Sequence, residues 1–203
     1  MAERPFYGDP NAAPVWQKGA VLLGSLTATK PTGDPAGALI ATRGFIINDP
    51  AAGTPITTEW DPAGMLVDDS PFTEGEETID VTEHSAFGHG VYAKTYKNQA
   101  FSFEFQALQD DLVNAGLMFD ASGLTETDGM VSGDEGFRDP TERFLLGVVR
   151  ENSIKAQRRV SKNYCEISSI SAAFNNGRTE RTVTVSVYPD ASGVLWTRHE
   201  WEL

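Results

Sequence analysis

Phe101-Ser102-Phe103-Glu104-Phe105-Gln106-Ala107 is the stretch that decides the fold: Phe101, Phe103, Phe105 and Ala107 interleave with Ser102, Glu104 and Gln106. Successive side chains of a strand point to opposite faces, so this alternation predicts a β-strand with one buried side. Thr182–Val187 repeats the pattern, with Val183, Val185 and Val187 set between Thr182, Thr184 and Ser186. Working outward, strands are expected at Ala20–Leu26, Met65–Asp68, Thr78–Thr82, Val91–Tyr96, Phe144–Arg150, Ile154–Val160, Tyr164–Ile170 and Val194–Trp201. Asn176-Gly177 suits a type I′ hairpin, and Pro189–Gly193 suits a longer one. The chain is therefore mainly β.

One helix is expected, over Asp110–Met118. Asp110 and Asp111 favour the positive end of its dipole, and Leu112, Val113, Leu117 and Met118 form its inward face. Asp139-Pro140-Thr141-Glu142 also has the residue types of a helix start, but Phe144–Val149 fits a buried strand. The rest reads as an N-terminal arm, residues 1–18, ahead of a single domain at 19–203 with long loops at about 30–53 and 121–139. Long loops on a small β domain are more than compactness requires. No period of 20–50 residues repeats, so a solenoid or propeller is excluded.

The 203 residues suffice for one domain with a core that needs no disulfide or metal. The longest uncharged runs, Gly19–Thr29 and Ile167–Gly177, fall short of the roughly 20 residues of a spanning helix, so no membrane is expected. With no apolar stretch soon after Arg4 and one cysteine, Cys165, the chain is expected to fold in a reducing cytoplasm. Acidic residues number 29 against 16 basic, a net charge of −13. They are unevenly spread: residues 1–142 hold 23 acidic and 7 basic, whereas 143–203 hold 6 acidic and 9 basic. Such a surface repels polyphosphate, which disfavours ordinary nucleic-acid binding. The asymmetry lets an acidic face of one copy meet a basic face of the next, and the same charge also serves plain solubility.

No constellation of residues makes an active site. His84 and His89 read as solvated loop residues that lack a third zinc ligand nearby, and His199 is distant and expected in a strand. Glu126, Asp128, Asp134 and Glu135 crowd a Gly-rich loop without the spacing of a calcium site. There is no Gly-x-Ser-x-Gly elbow, and Cys165 reads as a small core residue. Gly88-His89-Gly90 lacks the rest of a dinucleotide fingerprint. No catalytic, cofactor-binding or metal residue is assigned, and no enzyme is expected. The one basic cluster, Arg158-Arg159 with Arg150, Lys155 and Lys162, is read as meeting the chain's own kind of acidic surface, at a seam between copies. In the arm, Phe6, Tyr7 and Trp16 are the aromatic residues an interface would bury.

Three blocks in order resemble the major tail protein, or tail tube protein, of long-tailed (siphovirus-type) phages of Gram-positive hosts. The first is Trp60–Asp69 followed by Thr73–Val81, a Trp/Gly segment leading through an acidic stretch into a strand. The second is Gln99–Phe105 feeding the short helix at Gln109–Leu112. The third is the ending, Phe144–Arg150, Ile154–Val160, Tyr164–Ile167 and Thr182–Tyr188 with Pro189-Asp190 before Gly193. No single motif is specific; order and spacing carry the likeness, which covers residues 19–203, and His84–Gly90 departs from it.

The resemblance implies a β-sandwich of the phage tail-tube type with one short flanking helix. It implies hexameric rings stacked into a hollow tube, assembled in the host cytoplasm and kept in the virion, through which duplex DNA passes without specific binding. It also implies tape-measure, tail-terminator and distal tail proteins as partners, and no enzymatic activity. The alternative is a carbohydrate- or receptor-binding β-sandwich module of a phage tail, using Trp60, Trp196 or Trp201 as a stacking platform. Parity sets Trp196 and Trp201 on opposite faces of one strand, which argues against a shared platform.

Overall fold

Strand formation runs further than the alternation at 101–107 required. The computed structural model describes residues 18–30, 48–49, 54–55, 60–66, 72–88, 90–108, 111–128, 130–175 and 178–202. In chain order these form β1 (Lys18–Gly24), β2 (Asn48–Asp49), β3 (Thr54–Pro55), β4 (Trp60–Pro62), β5 (Phe72–Ala86), β6 (Gly90–Ala107) and helix α1 (Leu112–Met118). After a two-residue strand β7 (Phe119–Asp120) and a 3₁₀ turn at Ala121–Gly123 come β8 (Leu124–Thr127), β9 (Met130–Gly133) and β10 (Gly136–Phe137). The last five strands are β11 (Leu145–Glu151), β12 (Lys155–Ser161), β13 (Cys165–Asn175), β14 (Arg178–Val187) and β15 (Trp196–Glu202).

Among the described residues the chain is a mainly β sandwich with one short helix. One sheet has the order β15-β12-β11-β1-β4 and the other β13-β14-β6-β5, and their ladders are antiparallel. The two alternating segments lie side by side, with Phe101 opposite Val187, Phe103 opposite Val185 and Phe105 opposite Val183. Their apolar sides pack on Val21, Leu146 and Val148 of the other sheet, and Leu117 of α1 joins the same core. Burying each large side chain contributes about 1.5–3 kcal/mol, which makes this slab the main source of stability.

The five-stranded sheet is buried on its second face as well. Leu22, Leu145, Val149 and Val160 cluster there with Trp60. The Trp60 ring lies so close over Gly24 that a Cβ there would sit 2.8 Å from it, and its indole N–H donates to the Thr29 carbonyl at 3.1 Å. Burial on both faces explains why Phe144–Val149 reads as a continuous apolar run instead of an alternating one.

Helix α1 begins two residues later than expected, because Asp111 is its cap and accepts from the Asn114 N–H at 2.9 Å. Its most buried residues are Asn114, Ala115 and Leu117; Leu112, Val113 and Met118 are half-buried. Asn114 tolerates burial because its side-chain amide donates to the Ala63 carbonyl at 3.1 Å and to Asp111 at 2.8 Å. Asp111→Ala should therefore lower stability by about 1 kcal/mol, read as a shift in the denaturant midpoint at constant slope.

Three expectations need correction. Thr78–Thr82 and Val91–Tyr96 are not short strands of their own but parts of β5 and β6, which are 15 and 18 residues long. Residues 121–139 are not an unstructured loop: β8 and β9 pair in a hairpin turned at Asp128, whose φ is +52°, and β10 pairs with β7. His84 is not a loop residue but lies in β5, where its ring bonds the Thr95 hydroxyl at 2.8 Å. The arm at 1–17, most of the loop at 30–53, His89 and the Asn176-Gly177 turn lie outside the described residues.

Candidate functional site: the projecting hairpin and open sheet edges

Strands in globular domains usually run three to ten residues, and β5 and β6 exceed this because they leave the sandwich. Pairing of β6 with β14 ends at Phe101, while its pairing with β5 continues to Ala86 opposite Gly90. At about 3.3 Å per residue, the stretch from Ala100 to Gly90 extends about 33 Å beyond the sheet as a two-stranded ribbon. Residues 76–86 of β5 are exposed throughout. A lone two-stranded ribbon is marginal in water.

The register tells which face would do so. A bulge between Glu74 and Glu77 brings Glu77 opposite Phe101, on the core-facing side of the sheet. From there Ile79 and Val81 continue that same side out along the ribbon, and Val91, opposite Ser85, shares it. These three are 39%, 47% and 48% exposed, so the apolar side of the sheet carries on past the point where the other sheet covers it. Lys94 and Glu83 cross this face as an ion pair at 2.6 Å.

At the root of the ribbon, Glu74 points inward between the sheets. It accepts from Arg159 at 2.7 Å and from Arg150, whose guanidinium also lies 4.7 Å from the centroid of the Phe72 ring. Burial raises the Glu74 pKa, but the hydrogen bonds and charges of Arg159 and Arg150 outweigh it and hold the carboxyl below its ordinary value. Phe72 in turn fills the space over Gly19, where a Cβ would meet the ring at 2.7 Å. These contacts fix the angle at which the ribbon leaves.

The four-stranded sheet ends in β5 on one side and β13 on the other. From Ile167 to Asn175, β13 has no charged residue and no proline, and Ser168, Ser169, Ser171 and Phe174 are exposed. Soluble proteins guard edges with charge, proline or bulges; this edge has neither charge nor proline here and is irregular at Ile167/Ser169. The solvent face of this sheet carries Ser102, Glu104, Gln106, Thr182, Thr184 and Ser186 by register, a polar surface without lysine or arginine on these segments.

The sequence-selected residues fall elsewhere. Arg158 is fully buried against His199, at 3.1 Å, and Arg159 is paired with Glu74 at 2.7 Å, both within the subunit. Phe6, Tyr7 and Trp16 lie outside the described residues. Trp60 is 3% exposed and Trp196 packs edge-on against Phe103, which removes two of the three rings a glycan platform would need. Cys165 is buried, and burial pushes its thiol up to about 12. Among the described residues no group of three or more His, Cys, Asp or Glu is placed to hold a metal ion, and no helix is long and apolar enough to cross a membrane. No protein-family model matches the chain, and no curated protein is significantly similar to it.

Proposed function

We propose that this chain is the repeating subunit of a self-assembling hollow tube, the tail tube of a long-tailed phage, in which hexameric rings stack into a conduit for DNA. The observation that carries the proposal is the ribbon at 78–100, whose core-facing side, with Ile79, Val81 and Val91, runs on past the other sheet with no described residue covering it. Two further features support it. The β13 edge, free of charge and proline from Ile167 to Asn175, and the far edge β5 belong to one sheet, so copies that pair edge to edge would close a ring and leave no edge exposed. The polar solvent face of the sheet at 102–106 and 182–186 suits the bore, since these segments carry no lysine or arginine to neutralise phosphates and release counterions. The proposed role is structural and involves no reaction.

Size-exclusion chromatography across a concentration series tests the reading: assembly should grow with concentration, and a chain that elutes as a monomer at the highest concentration attainable contradicts it. A second expectation concerns the bore. Subunits and assemblies alike should leave a fluorescent DNA duplex unbound even at low salt, where the Debye length grows to about 30 Å and any basic lining would act most strongly. Binding by the assembly that weakens with salt would place basic residues on the wall.

A further inference from the structure

We infer that His199 is a pH-sensitive latch on the last strand, β15, holding it on the sheet at neutral pH and releasing it in mild acid. His199 stands opposite Arg158 in the β12–β15 ladder, and the Arg158 Nη2 lies 3.1 Å from the His199 Nδ1. A guanidinium only donates, so Nδ1 must accept and the ring proton sits on Nε2; the bond exists only with the neutral imidazole. A second proton turns Nδ1 into a donor facing a donor and sets two like charges together. Arg158 does not shed its charge, and it is fully buried, so water does not screen the repulsion. The latch is internal to the subunit and needs no second copy.

Alternation sets Arg198, Glu200 and Glu202 of β15, with Lys155, Gln157 and Arg159 of β12, on the opposite face from His199. On the His199 face, the charged residues of the described strands are Arg158, Glu151 of β11 and Lys18 of β1, the last two opposite each other by register. Glu151 is placed beside Ala156, two strands and about 10 Å across the sheet from β15. β15 is an element that such a latch can release. It is an edge strand paired in its sheet with β12 alone, and residues 196–200 are half-buried or exposed. Segments with few buried contacts open locally while the core stays closed. Trp196 lies edge-on to Phe103 at 6.1 Å, so opening bares one side of the core aromatics as well as the edge of β12. The open strand gains a proton that the closed strand excludes, so opening is favoured as pH falls through the ~6.5 of a solvated histidine. Glu74 acts in a separate window, below pH 4.5.

Amide hydrogen exchange of the full chain between about pH 7.5 and 5.5 tests the latch, read as protection after correction for the intrinsic exchange rate. Protection of the β15 amides should fall about tenfold across this range, the factor for one histidine that takes up its proton only when the strand is open. In His199→Asn, whose side-chain oxygen keeps an acceptor for Arg158 and does not titrate, protection should stay constant. A flat wild-type profile, or a variant that falls as wild type does, overturns the latch. Should the variant not fold, the ring of wild-type His199 decides. Nitrogen NMR at neutral pH should place its proton on Nε2, and a proton on Nδ1 refutes the bond on which the latch depends.

Discussion

Val81→Glu should abolish assembly while leaving the subunit folded. Val81 sits midway along the outer ribbon and is 47% exposed, so a carboxylate there is solvated in the free subunit and alters stability by no more than about 0.5 kcal/mol. In the proposed assembly the same face would be covered, and the introduced carboxylate would have to lose its water without a partner. Removing an unpaired charge from water costs several kcal/mol, so the concentration needed for assembly should rise by at least about 100-fold. Light scattering reads the assembly, and thermal melting of the dilute protein reads the fold. Assembly at the wild-type concentration would show that the ribbon face stays in water.

Glu74→Gln should have the largest effect on the subunit itself. The substitution keeps the shape but leaves Arg150 and Arg159, whose side chains are 14% and 17% exposed, without their carboxylate. An exposed pair is worth about 0–1 kcal/mol and breaking a buried one costs about 3–5. Glu74 itself is 35% exposed, so solvent screening places the loss between these limits, at about 2 kcal/mol. The pH dependence has a definite sign. The folded carboxyl titrates below its ordinary value of 4.5, so its stabilisation is complete above pH 4.5 and disappears as pH falls through the folded value. Wild type and variant should therefore differ at neutral pH and converge in acid. A constant difference in denaturant midpoint down to about pH 2 would assign the stabilisation to packing.

Phe101–Ala107 and Thr182–Val187 were legible because each is buried on one face only, and the structure sets them in register against each other. β11 was recognisable only as an apolar run, because the Trp60 cluster covers its second face. The ribbon was hidden for the opposite reason: with 76–86 exposed on both sides, its residues show no contrast between a buried and a solvated face. Bulges obscured it further, since each shifts the alternation by one residue on one strand. Arg158 and Arg159 stood out as a surface cluster because sequence shows charge but not which face a residue takes. Neighbours on β12, they point to opposite sides, one toward His199 and the other toward Glu74. The groove between α1 and the end of β1 could not be foreseen, since Leu26, Leu112 and Phe144, which line it, meet only in the folded chain. One available signal was missed: the uncharged, proline-free run from Ile167 to Asn175 turns out to be a sheet edge.

Negative-stain imaging of the full chain at high concentration addresses the central claim most directly. Six-fold rings with a stain-filled centre, stacking into tubes of constant width, are the expected result. Dispersed single subunits at every concentration, or assemblies without a central channel, would contradict it.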